Sequence, residues 1–243
     1  MLDVHEAGQG PCLVLIPSLG RGQEDYDGIA PGLVAAGFSV IRAEPRGIGG
    51  STPAAAGATL HDLAADLAAL IRAPAIVVGH AFGNWIARVL AHDRPELVRG
   101  VAMLAALTGT GTDPAIRQHI NGSFDPSLPD AERLVHLQTA YFAPGHDARV
   151  WLPGWHPAVA RAQRAASAAT TGTGWLRAGE RHPLLYVAAA QDAIAPLPSE
   201  AEVRAALGPR AIRVVIEDAG HALLPEQPQA VIEALVSFAR SLP

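Results

Sequence analysis

The run Ile76-Val77-Val78-Gly79-His80-Ala81-Phe82-Gly83-Asn84 constrains this chain more than any other stretch. A short β-branched run, suited to a buried strand, ends in Gly-x-Ala-x-Gly and passes at once into Ala-rich helical sequence over 85–92. Glycine on both flanks of the centre, at 79 and 83, points to a turn so sharp that its neighbours leave no room for larger side chains. The stretch therefore reads as strand, sharp turn and helix, with Ala81 at the tip.

The same rhythm recurs on both sides of it. Residues 13–16 form a continuous apolar run between Pro11 and Pro17, the pattern of a strand buried on both faces. A loop follows, then helical sequence over 24–36 closed by Gly37, and a strand over 38–43. Thr59, with Asp62 three residues on, can cap a helix whose Leu60, Leu63, Leu67, Leu70 and Ile71 recur at helical spacing. Residues 98–106 supply another buried strand. The pattern then breaks: 108–182 offers no convincing strand, only helical pieces near 115–120, 131–141 and 159–169. Half of the aromatic residues lie there: Phe124, Tyr141, Phe142, Trp151, Trp155 and Trp175. The alternation resumes with strands over 184–190 and 212–216 and helices over 200–207 and 226–240, the last lined inward by Val231, Leu235 and Phe238.

Strands alternating with helices of this length predict an α/β protein with a mostly parallel sheet flanked by helices. The expected organisation is one core built from 1–107 and 183–243, with a helical lid, 108–182, inserted in it.

Composition narrows the function. Of 243 residues 49% are hydrophobic and 17% charged, as in a well-buried globular protein. All 18 basic residues are arginine, a bias of GC-rich genomes, and a net charge of −5 offers no basic face for nucleic acid or for a membrane surface. Cys12, the single cysteine, suits a reducing compartment, and neither a signal core nor an apolar run long enough for a bilayer is visible, so a cytoplasmic protein is expected. Without lysine no P-loop is possible. The Gly47-Ile48-Gly49-Gly50 loop lacks its third glycine at Thr52, and Pro53 stands where a dinucleotide-binding helix would begin. The 10 histidines form no zinc spacing. No cofactor and no metal is expected, and the expected partner is a small-molecule substrate.

The stretch 79–83 resembles the nucleophile elbow, Gly-x-Ser-x-Gly, of the α/β-hydrolase family, with Ala81 in the nucleophile position. The resemblance extends over nearly the whole chain. Leu184-Leu185-Tyr186-Val187-Ala188-Ala189-Ala190-Gln191-Asp192 looks like the strand that ends in the triad acid, which implies that role for Asp192. Asp218-Ala219-Gly220-His221 looks like the loop that presents the triad histidine, implying His221. The resemblance also implies an oxyanion hole from the backbone N–H groups of Leu19 and Phe82. Pro17-Ser18 stands where the family usually has His-Gly, so Ser18 either binds substrate or merely ends its strand. His80 reads as a packed, hydrogen-bonded core histidine. Trp151 and Trp155 are either the lid's own core or a wall of the pocket, and they are carried as candidate substrate contacts.

A methyl group at position 81 cannot attack a carbonyl. Three explanations stand: an engineered Ser→Ala change, a native alanine in an enzyme that works with the His221–Asp192 dyad alone, or a binding protein that has kept the pocket. The expectation is a hydrolase-type enzyme acting on a small, largely apolar ester-like or C–C carbonyl substrate. Lyase and isomerase steps remain open, as does a non-catalytic binder or sensor.

Overall fold

The computed structural model describes residues 1–108 and 111–242. Seven strands, β1 (Val4–Ala7), β2 (Cys12–Ile16), β3 (Ser39–Ala43), β4 (Ala75–His80), β5 (Val98–Leu104), β6 (Leu184–Ala189) and β7 (Ala211–Ile216), form one sheet. Their order is β1-β3-β2-β4-β5-β6-β7. Only β1 runs antiparallel, pairing Val4 with Ala43; all other neighbours are parallel. The fold is α/β with a mostly parallel sheet flanked by helices.

The central strands are apolar on both faces because both faces are covered, and their period of two sorts the side chains between two cores. Val14, Val77, Val101, Met103 and Tyr186 pack with α2 (Leu60–Ala68), α3 (Gly83–Asp93) and α7 (Glu200–Leu207). Leu13, Ile76, Val78, Leu104 and Val187 pack on the opposite side with α1 (Ala30–Ala35), α8 (Leu223–Glu226) and α9 (Pro228–Ser241). Thr59 caps α2 with Asp62 in a reciprocal capping box, as its spacing predicts.

The expected helix over 24–36 is two pieces, a 3₁₀ turn at Gln23–Tyr26 and α1. Pro31 lies in the first turn of α1, where its missing N–H costs nothing, and it fixes the start of the helix there. Strand β1 has no counterpart in the sequence reading. Its polar VHEA is short and mostly exposed at the sheet edge, so it carries no buried-strand pattern.

Between β5 and β6 run α4 (Pro114–Ser123), α5 (Asp130–Ala140) and α6 (Pro157–Ala169), with 3₁₀ segments at Ala148–Trp151 and Gly174–Glu180. Among the described residues this segment contains no strand. Leu137, Ala140, Tyr141, Phe142, Ala148 and Trp151 form a third cluster, which also takes in Ile194 and Ala222 from the core. The expected insertion boundary at 108 abuts residues 109–110, which lie outside the described residues. No helix among the described residues is long and apolar enough to cross a membrane.

Candidate active site

Four loops at the carboxyl ends of the parallel strands build the site, the usual place for ligands in open α/β sheets. Ala81 forms the turn between β4 and α3 at φ +46°, a left-handed conformation uncommon for a residue with a Cβ. Its N–H donates to the Leu104 carbonyl of β5 at 2.9 Å, which holds the turn over the neighbouring strand. The two glycines of the turn are there for space. A Cβ at Gly79 would lie 2.4 Å from the backbone of Gly83 and Asn84, and one at Gly83 would lie 2.3 Å from the Ile16 carbonyl oxygen.

Asp192 follows β6 and His221 follows β7. The fold brings them together: His221 Nδ1 is 2.8 Å from Asp192 Oδ2 and 3.1 Å from Oδ1. Asp192 Oδ1 also accepts from the Ile194 and Ala195 amides, both at 2.8 Å, so the carboxylate is fixed by its own loop. Both side chains are buried. A carboxylate that only accepts holds a neutral imidazole in the tautomer with its proton on Nδ1, the one that keeps the lone pair on Nε2.

Behind this pair sits His80, fully buried at the end of β4. Its Nε2 donates to the His221 carbonyl at 2.8 Å, while its Nδ1 is buried without a partner among the described residues. Burial, aided by the nearby His221, pushes the His80 pKa down to about 3. The unfolded chain then takes up this proton first as pH falls. Stability from His80 is complete above about pH 6.5 and drains away toward about pH 3, at close to 1.4 kcal/mol per pH unit. Replacing His80 with glutamine is expected to flatten the acid side of the stability profile by that slope, read from denaturant melts between pH 7 and pH 4. Parallel profiles for the two proteins would contradict it.

Ala81 and His221 line one cavity of about 260 Å³. Ser18, Leu19 and Phe82 line it as well, so these sequence candidates meet at one place. Leu107, Ile120 and Ile194 add apolar wall, and Trp85 and Tyr141 supply the aromatic surface.

Trp151 and Trp155 do not line this cavity. They hold Arg21 between them, its guanidinium carbon 4.7 and 4.9 Å from the two ring centroids. Arg21 is 2% exposed, donates through Nε to Asp25 at 2.9 Å and through Nη1 to the Pro153 carbonyl at 2.7 Å. Burial raises the Asp25 pKa, and the Arg21 charge opposes that shift. Two indoles are the apolar surface a buried guanidinium needs, and that packing draws them away from the pocket.

Several residues that support the site are absent from the sequence reading. Gln163 Oε1 accepts from Gly20 N–H at 2.7 Å and so ties α6 to the loop after β2. Its signal was present: a lone amide on the buried stripe Val159, Ala160, Gln163, Ala166. Glu226 accepts from Gly220 N–H at 2.7 Å and Ala143 N–H at 2.6 Å, joining the His221 loop to the segment between β5 and β6. Burial raises its pKa. A carboxylate directly after Ala222-Leu223-Leu224-Pro225 is the trace it leaves in the sequence.

The chain as a whole resembles known proteins. A Mycobacterium tuberculosis protein provisionally named as the non-heme bromoperoxidase BpoC is 30% identical over 99% of this chain and 98% of its own. Its crystal structure superposes with a TM-score of 0.83 at 27% identity, covering 100% of this chain and 97% of that one. A thermophilic esterase from Thermogutta terrifontis superposes at 0.79 with 22% identity, over 98% of this chain and 93% of that one, a likeness of fold. Residues 13–234 match the alpha/beta hydrolase family, and with the sheet order and relatives just described the chain belongs to that family.

Proposed function

We propose that this protein is a hydrolase-type enzyme in which His221 and Asp192 work as a base dyad on water, with Ala81 in the position of the vacated nucleophile. The observation that carries the reading is the 2.8 Å contact between His221 Nδ1 and Asp192 Oδ2 at the wall of the cavity that Ala81 lines. The substrate is a small, largely apolar carbonyl compound, in keeping with the apolar lining and the size of that cavity.

In this mechanism His221 Nε2 takes a proton from water as the water oxygen adds to the carbonyl carbon. The carbonyl π electrons move to oxygen, and the N–H groups of Leu19 and Phe82 receive the developing charge. Among the described residues neither amide donates to a protein acceptor. Collapse re-forms the carbonyl and breaks the bond to the leaving group, which takes the proton from His221. Asp192 stays ionised and steadies the imidazolium between the two transfers. The helices of 108–182 act in this reading as a lid on the core of 1–107 and 183–243, tied down through Gln163, Glu226 and Arg21.

Changing His221 to alanine is expected to lower turnover of responsive esters by about 10²–10⁴-fold, the range for a positioned general base. Turnover unchanged in that variant would remove the mechanism. The methyl group of Ala81 favours one rival, a small-molecule binder on the same scaffold. It predicts ligand affinity without turnover, and binding indifferent to Asp192→Asn.

A further inference from the structure

We infer that the substrate carries a carboxylate at the end of an apolar spacer, and that Arg88, Arg117 and Arg164 receive it in a chamber adjoining the cavity beside Ala81. This deepens the proposed reading of that cavity as the substrate site and rests on it. Leu19, Trp85, Leu107, Ile120 and Arg164 line both spaces, so the two adjoin. The first is walled mainly by apolar groups; Arg88 and Arg117 are reached only in the second.

Arg88 is the anchoring observation. It lies on α3, one turn beyond Asn84, and is 3% exposed. Its Nη1 donates to the Leu176 carbonyl at 3.2 Å and its guanidinium carbon lies 5.2 Å from the Trp175 ring centroid, yet its Nε is buried without an acceptor among the described residues. Among the described residues no carboxylate pairs with it. Burial pushes its pKa down only to about 10, so the cation persists at neutral pH. A buried cation without a counter-charge is costly, and the deficit is met when an anion enters the chamber that Arg88 lines.

Among the described residues the other two guanidinium groups meet no carboxylate: Arg164 donates to Asn121 Oδ1 at 2.9 Å and lies over the Phe124 ring, its guanidinium carbon 5.3 Å from the centroid, and Arg117 donates to the Thr112 carbonyl at 3.1 Å. Asp and Glu outnumber Arg 23 to 18 in this chain, so carboxylates are not scarce. Three cations without a carboxylate partner among the described residues, all lining one chamber, therefore point to an external anion, and the guanidinium fork matches a carboxylate at two points.

The test compares 4-phenylbutanoate with its neutral isostere 4-phenylbutanamide by titration calorimetry at low ionic strength. The unmodified protein is expected to bind the acid about tenfold tighter than the amide, the gain of one charge-assisted hydrogen bond. In Arg117→Gln/Arg164→Gln, where both side chains are exposed and an unchanged Tm is expected, the preference should fall to near unity. Arg88→Met should weaken acid binding in the same way. Should that variant fail to fold, the double variant decides alone. Equal affinity for acid and amide in the unmodified protein, no saturable binding of the acid at millimolar concentration, or a preference untouched in the double variant would overturn the inference. A carboxylate and an unactivated primary amide offer no ester-like leaving group, so these affinities stand apart from the dyad mechanism: loss of that mechanism would appear as unchanged turnover in His221→Ala, with the acid preference intact.

Discussion

Replacing Ala81 with serine is expected to turn this protein into an esterase. Activated esters such as 4-nitrophenyl acetate should be hydrolysed about 10³-fold faster or more than by the native chain, with a burst of nitrophenolate as the acyl-enzyme forms. The gain needs little rearrangement. The backbone at 81 already holds a Cβ at φ +46° on the tip of the β4–α3 turn, so a hydroxyl adds no new strain there. The cavity that Ala81 lines also takes in His221, whose ring is already oriented through Nδ1 by Asp192. Under the proposed roles, Oγ would attack the carbonyl, His221 Nε2 would take its proton, and the Phe82 and Leu19 amides would hold the oxyanion. Adding His221→Ala to the serine variant should abolish the gain. A folded Ala81→Ser protein that stays silent on such esters would show that base and oxyanion donors are not assembled, and would favour the binder.

The largest expected effect on stability is at Gly83. A methyl group there would meet the Ile16 carbonyl oxygen at 2.3 Å and the Pro17 carbonyl oxygen at 2.6 Å. Both are backbone atoms of the adjoining strand and its exit, so no side chain can swing aside to make room. Either α3 lifts from β2 or the loop carrying Ser18 and Leu19 moves. Gly83→Ala is expected to cost about 3 kcal/mol or more and to lower Tm by many degrees. Gly28→Ala is the matched control, since its nearest neighbour would be Pro228 Cβ at 4.0 Å. It should change stability by less than about 1 kcal/mol in either direction. Equal Tm values for the two variants would show that the close approach of α3 to β2 is not what fixes glycine at 83.

The elbow was legible because its constraint is local. Strand, turn and helix succeed one another within a few residues, and the close contacts at Gly79 come from Gly83 and Asn84, only four and five positions on. Asp192 and His221 were legible through the sequence around them, though 29 residues separate them. The tryptophans show the opposite case. Trp151 and Trp155 are conspicuous in the sequence, but their partner is Arg21, 130 residues away from the nearer of them. Arg21 lies in Gly20-Arg21-Gly22, which carries no signal that it is buried. Trp85, by contrast, sits in the first turn of α3, and the fold turns it into the cavity.

What the order of residues determined alone is the α/β alternation, the sharp turn at Ala81 and the absence of a nucleophilic atom at its tip. Those follow from periodicity, backbone sterics and side-chain chemistry, each acting over a few residues. Only the tertiary structure decided which aromatic rings wall the cavity, that Gln163 and Glu226 tie the segment between β5 and β6 to the site loops, and that Arg88 is buried without a counter-charge among the described residues. Burial and pairing are set by whichever distant groups the sheet order brings alongside, and no local pattern encodes that.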